Sequence, residues 1–151
     1  MVDIRRRTAA GLNAGDTFTI TRTFTEKDVD AFTEVTRDHN PIHFSKRFVE
    51  LKGFRDRVCH GLLVGSMITE MGGQMGWLAS EMNFRFKKPV YFNDTVTCRC
   101  TLTSVDETNR AEAEAVFTNQ NGEVVLEASL FGVLPDAPER QVLQDLLDTD
   151  E

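Results

Sequence analysis

The sequence contains no apolar run approaching the roughly 18 residues that cross a bilayer, which argues against an integral membrane protein. Arg5-Arg6-Arg7 is not followed by an apolar core, so neither a secretory nor a twin-arginine leader is expected. Cysteine is scarce: three residues, an odd number with no framework spacing, exclude a disulfide scaffold. Cys98 and Cys100 would share one face of a strand, and reduced, packed thiols in a cytoplasmic protein are the expectation. Positive charge is also short. Seventeen Lys and Arg against 24 Asp and Glu leave a net charge of −7, and a polyanion such as nucleic acid or an acidic membrane would not be attracted globally. There is no internal repeat and no low-complexity stretch. What remains is 151 residues with 40% apolar content, enough chain for one domain with one sizeable core.

Local patterns divide the chain. Residues 1–14 read as an N-terminal arm, residues 15–135 as the domain, and residues 136–151 as an acidic C-terminal tail that could take up helix through Val142, Leu143, Leu146 and Leu147. Thr17–Phe24 alternates and is rich in β-branched residues, which predicts a strand. Thr25 and Asp28 form a capping-box pattern, and Val29, Phe32, Val35 and Thr36 recur at helical spacing over 26–36. Ser45 can cap a short helix, Lys46–Leu51, that Gly53 ends. Residues 60–75 are apolar or small on nearly all sides, the mark of a buried helix, which Gly72-Gly73 and Gly76 would break. The Met67, Met71, Met75 stripe reads as core. Strands are then expected at Met82–Phe86 and Asp94–Val105, and at Ala111–Thr118 paired with Val124–Leu134 across an Asn-Gly hairpin signal. The order of elements predicts an α+β fold, a curved antiparallel β-sheet wrapped around a central buried α-helix.

The stretch Asp38-His39-Asn40-Pro41-Ile42-His43 is the chemical focus. Proline fixes its own φ and biases Asn40 away from helix, so Asp38 and His43 are held by a bent loop and not spaced along a helix face. A carboxylate and an imidazole that reach one water make a general acid/base pair. His39 reads as an exposed loop residue and His60 as a structural hydrogen-bonding group. A zinc site from Asp38, His43, Cys59 and His60 matches no metal-ligand spacing, and none is expected.

Three segments in series carry a family resemblance. Asp38-x-Asn40-Pro41-Ile42-His43 resembles the hydratase loop of MaoC-like, single-hotdog (R)-specific enoyl-CoA hydratases. Val58-Cys59-His60-Gly61-Leu62-Leu63-x-x-Ser66 resembles the start of their central helix. Phe84–Val96 resembles the strand and turn that follow, except that Asn93 stands where the family usually has glycine before Asp94. The resemblance implies a hotdog fold and reversible syn hydration of a trans-2-enoyl thioester, or the reverse dehydration of a 3-hydroxyacyl thioester. It implies Asp38 as the base that activates water and His43 as the group that orients water and donates the proton. The backbone N–H of Gly61 would be the oxyanion donor, with Asn40 and Ser66 in support. No cofactor is implied; the thioester of CoA or of an acyl carrier protein is the substrate. Arg85, Lys87 and Lys88 are candidates for its phosphates, with Arg55 and Arg57 nearby. A homodimer, or an oligomer built from dimers, is implied as well. Two other classes remain open: a hotdog acyl-CoA thioesterase, and a non-catalytic acyl-CoA-binding or dimerisation module. The first would release free thiol; the second would be indifferent to changes at Asp38 and His43.

Overall fold

A computed structural model describes residues 2–149. The segment read as a loose arm is instead a helix, α1 (Val2–Ala10). Among its described side chains, Ile4 and Thr8, one turn apart, are buried. The Arg7 guanidinium lies 4.1 Å above the Phe18 ring and donates to the Thr17 carbonyl at 3.1 Å. Two inward residues are too few to signal an amphipathic helix in the sequence; docking against the rest of the fold forms it.

Next come β1 (Thr17–Thr23) and α2 (Glu26–Thr36). The capping box at the start of α2 is complete. The Thr25 hydroxyl accepts from the Asp28 amide and the Asp28 carboxylate accepts from the Thr25 amide. The second bond is the main cause holding the Asp28 carboxyl below the usual carboxylate range. Pro41–His43 form one 3₁₀ turn, followed by α3 (Lys46–Leu51), whose Ser45 cap accepts from the Phe48 amide.

The buried helical stretch is two consecutive pieces, α4 (Gly61–Gly65) and α5 (Met67–Met75), meeting at Ser66, where the backbone stays right-handed. The expected break at Gly72-Gly73 does not occur. Met71 and Met75 anchor that turn in the core, which outweighs the intrinsic helix cost of glycine. Gly76, at φ +65°, ends the helix.

The sheet comprises β2 (Leu78–Phe86), β3 (Thr95–Val105), β4 (Arg110–Thr118) and β5 (Val124–Val133) with β1, all antiparallel, in the order β1-β3-β4-β5-β2. β2 starts four residues earlier than its pattern suggested, because Leu78–Glu81 lie on an exposed edge where no burial alternation exists. Only Gly76 and Trp77 then link α5 to the sheet. Asn93 takes up φ +70°, the left-handed geometry expected of a residue standing in for glycine.

The inner face of the sheet carries Val96, Cys98, Cys100 and Leu102 from β3, and Ala111, Ala113, Ala115 and Phe117 from β4. The small β4 residues leave room for the Met67, Ile68, Met71 and Met75 side chains in the same core cluster. Burial pushes the Cys100 thiol up to about 11 and raises Cys98 further, so both are packing groups with little thiolate character. The tail is α6 (Ala137–Thr149), packed against α1; residues 150 and 151 lie outside the described residues. Among the described residues, no helix is long and apolar enough to cross a membrane.

Candidate active site

Between the end of α2 and the 3₁₀ turn the chain holds itself by side-chain oxygens on alternate residues. The Thr36 hydroxyl accepts from the Asp38 amide at 3.3 Å. Asp38 Oδ1 accepts from the Asn40 amide at 3.1 Å, and Asn40 Oδ1 from the Ile42 amide at 3.2 Å. Arg37, at φ +58°, reverses the chain after α2. Short polar side chains that capture an amide two residues on are the local reason this sequence turns here. The consequence is directional: Oδ1 of Asp38 is committed to the loop, and Oδ2 is left to face the cavity.

His43 is buried. Its Nδ1 lies 2.7 Å from the Val58 carbonyl, which can only accept, so that nitrogen carries a proton and Nε2 is the working atom. Nε2 stands 3.7 Å from Asp38 Oδ2. That gap is longer than a direct hydrogen bond, and one oxygen lying off the line between them can contact both.

His60 precedes α4 and is also buried. Its ring stacks on His43 with centroids 3.7 Å apart. Its Nε2 lies 3.1 Å from the Asp38 backbone carbonyl and 3.3 Å from the Thr33 hydroxyl. That hydroxyl already donates to Val29, so His60 Nε2–H is the donor and Nδ1 is left bare, without a protein partner. Burial, reinforced by His43 alongside, pushes the His60 pKa below the usual imidazole range, against the pull of the Asp38 carbonyl. Sequence reasoning took His60 as a structural hydrogen-bonding group. It did not identify the partners, His43 by stacking and the Asp38 carbonyl, which lie 17 and 22 residues away in sequence.

Gly61 opens α4. Neither its amide nor that of Leu62 has a backbone or side-chain acceptor among the described residues, as expected of a first helical turn without a cap. A side chain at Gly61 would collide with the Phe86 ring, whose Cδ1 would lie 2.8 Å from the added Cβ. Asp38, Asn40, His43, His60 and Gly61 all line one cavity of about 680 Å³, closed largely by apolar groups that include Phe32, Val64 and Phe86. Cys59 lines it too, but burial raises its thiol to about 12, which removes it as a nucleophile near neutral pH.

The remaining candidates divide. Lys87 and Lys88 line the same cavity, Lys88 paired at 2.5 Å with Glu123. Arg85 does not join them. Strand alternation turns it to the other face of β2, where it meets Glu127 at 3.3 Å. Ser66 is not in the cavity lining; its hydroxyl donates to the Leu63 carbonyl at 2.5 Å, inside its own turn. Asp38, His43 and His60 offer ligand atoms within 4.8 Å of one another. Two stacked imidazoles, one with Nε2 committed to a carbonyl, do not converge on a single ion as tetrahedral N and O ligands must.

Residues 11–124 match the MaoC-like domain family. The chain belongs to the MaoC-like dehydratases. It is 30% identical over 131 residues, 83% of this chain and 79% of the relative, to a mitochondrial 3-hydroxyacyl-[acyl-carrier-protein] dehydratase of Arabidopsis thaliana. It is 25% identical over 128 residues, 82% and 89% of the two chains, to an (R)-specific enoyl-CoA hydratase of Rhodospirillum rubrum. Among solved structures, an (R)-hydratase from A. caviae involved in PHA biosynthesis superposes with a TM-score of 0.77 at 25% identity, covering 83% of this MaoC-like chain and 98% of that one. The helix-wrapping antiparallel sheet described above is thus the hotdog fold.

Proposed function

We propose that this MaoC-like protein is an (R)-specific enoyl-thioester hydratase and 3-hydroxyacyl-thioester dehydratase, a hydro-lyase acting on acyl chains carried by CoA or by an acyl carrier protein. The observation that carries the reading is the 3.7 Å separation of Asp38 Oδ2 and His43 Nε2 at the wall of an apolar cavity that also receives the uncapped start of α4.

In the hydration direction, one water sits against Asp38 Oδ2 and His43 Nε2. As its oxygen adds to C3 of the enoyl chain, Asp38 takes its proton. The thioester oxygen gains negative charge and is met by the Gly61 amide, at the positive end of the helix. His43, protonated on Nε2 while Nδ1–H stays on the Val58 carbonyl, delivers a proton to C2. The proton on Asp38 then returns to His43 through the next water to enter the gap, and the pair is restored. Hydroxyl and hydrogen arrive from one side of the chain, so the addition is syn. Asn40 holds the loop, and His60 holds the Asp38 carbonyl beneath it. These side chains suffice without a cofactor. Lys87 and Lys88 are the nearest basic groups to the cavity for the carrier's phosphates.

The edge strand β2 leaves Leu78 and Phe86 well exposed, at 75% and 58%. An open apolar edge of this kind is normally covered, and we assign it to a twofold homodimer with a continuous sheet and the cavity mouth near the interface. The buried thiols suit a reducing compartment, and the cytoplasm is the one we assign.

The deciding measurement follows loss of the enoyl-thioester absorbance of crotonyl-CoA with free thiol monitored in parallel, and Asp38→Asn as control. Absorbance loss without thiol, abolished in the variant, is expected. Thiol release would replace this reading with a thioesterase. Activity indifferent to the variant would point to a binding or dimerisation module.

A further inference from the structure

His60 is only 2% exposed and touches both members of the reacting pair. Its face stacks on His43, with the ring planes 24° from parallel. Its edge reaches Asp38: Nε2–H donates to the backbone carbonyl at 3.1 Å, and the Thr33 hydroxyl at 3.3 Å shares that proton. The Phe32 ring meets it edge-on, with centroids 5.1 Å apart. Packed at face and edge, the imidazole has little room to turn.

The other bonds of the pair leave two freedoms. The Asp38 amide is held by the Thr36 hydroxyl, and Asp38 Oδ1 holds the Asn40 amide, yet the peptide that follows can still tilt. His43 Nδ1 is held by the Val58 carbonyl, yet the ring can still rock about that one bond. His60 opposes both motions, the first with its N–H and the second with its face.

The residue type matters. His60 Nε2 lies 4.0 Å from Asp38 Oδ2. A full charge fixed there, as on lysine or arginine, would draw that oxygen away from His43. The imidazole avoids this by staying neutral. Burial is the main cause, the Asp38 carbonyl and carboxylate pull the other way, and the His43 ring alongside adds to burial. Its Nδ1 is buried with no partner among the described residues, so a second proton there would meet no acceptor.

We propose that His60 is a positioning residue for the hydration: one ring holds both the Asp38 carbonyl and the plane of His43, and so fixes the 3.7 Å gap in which water is activated. This rests on the hydratase reading of the site.

The test uses the full-length protein with His60→Ala, His60→Phe and His60→Asn. Crotonyl-CoA is the substrate, in steady state and, for slow variants, in single turnover with enzyme in excess. His60→Ala is expected to lower kcat on the order of 10²-fold, the cost of misplacing a reacting group by about an ångström, with KM nearly unchanged. His60→Phe keeps a stacked ring without the N–H, and His60→Asn keeps a donor without the ring. Each should fall between alanine and wild type. The deciding comparison is made on a His43→Ala background. A residue that acts through the pair has little left to lose there, so adding His60→Ala should change the rate by no more than about twofold, whereas independent losses multiply.

A full further loss on that background overturns the proposal. So does a His60→Ala effect confined to KM, or a kcat within about twofold of wild type. If His60→Ala does not fold, wild-type kcat in both His60→Phe and His60→Asn overturns it. Absence of any hydration by wild type would count against the hydratase reading instead. Nitrogen NMR of the three histidines then decides whether His60 positions His43. The His43 ring signals should broaden or divide in His60→Ala as the ring gains slow motion, and signals as sharp as in wild type overturn the proposal.

Discussion

The two ends of the α4–α5 rod are treated oppositely. At the C-terminal end three successive carbonyls of the helix, those of Gly72, Gly73 and Gln74, are met by protein. Gly76 caps it in left-handed geometry, its amide reaching the Gly72 and Gly73 carbonyls. The Arg5 guanidinium from α1 points at the Gly73 and Gln74 carbonyls at 3.5 Å, a cation on the negative end of the helix. A Cβ at Gly76 would touch the Pro135 and Leu143 side chains, so the α6 segment closes over it. At the N-terminal end the needs are left open among the described residues: the Gly61 and Leu62 amides lack acceptors, His60 Nδ1 lacks a donor, and Asp38 Oδ2 lies 3.7 Å from His43 Nε2, beyond a direct hydrogen bond. A fold that can finish one end this thoroughly and leaves the other unfinished reserves the second for a ligand, and changes at the two ends should have separable effects.

The largest effect should come from the unfinished end. Asp38→Asn and His43→Ala are each expected to lower kcat by about 10²–10⁴-fold, with little change in KM, because both groups act mainly in the transition state. Steady-state kinetics on crotonyl-CoA checks this. A change confined to KM in either variant would reduce the group to a binding role and weaken the contrast between the two ends.

Next in size is Gly61→Ala. Alanine keeps the amide but must displace the Phe86 ring, a side chain and not backbone. Folding should survive while the carbonyl's approach to the amide narrows. A kcat loss on the order of 10²-fold is expected, the cost of misplacing a reacting group by about an ångström. Melting within a degree or two of wild type would separate this from simple misfolding.

Much of this end was legible because its determinants are local. The Thr25–Asp28 box, the Thr36–Asp38–Asn40 run of short polar side chains and Pro41 specify their turns with partners two or three residues away. What escaped notice depends on distant partners. Helix α1 exists because Ile4 and Thr8 find a core that only the folded sheet and α5 create. Arg85, Lys87 and Lys88 look alike in sequence, but Arg85 lies within β2 and is turned to Glu127, while Lys87 and Lys88 follow the strand's end at Phe86 and reach the cavity. Ser66 sits at a position that invited a supporting part, yet its hydroxyl closes a bond within its own helical turn.

His60, at the open end, adds a dependence on pH. Its depressed pKa means that the unfolded chain takes up a proton at a pH where the folded protein still holds the ring neutral. Stability is therefore complete above the unfolded value of about 6.5 and is lost as pH falls through that value towards the folded pKa. Denaturant midpoints between about pH 5.5 and 7, above the carboxylate range, should decline on acidification. The decline should be shallower in His60→Asn, which can still donate to the Asp38 carbonyl. An equal slope in both would assign the acid sensitivity elsewhere.

The smallest effect belongs to the finished end. Arg5→Ala removes the cation facing the Gly73 and Gln74 carbonyls. Because the site is partly exposed and the two contacts are long, the expected loss is about 0.3–1 kcal/mol of stability, with kcat on crotonyl-CoA unchanged. The loss should shrink in high salt, since a charge–dipole contact near the surface is screened while apolar packing of α1 is not. Paired denaturant titrations at low and high ionic strength measure it. A fall in kcat with stability intact would mean that the two ends of the rod communicate, and α1 would then belong to the machinery it is here argued only to support.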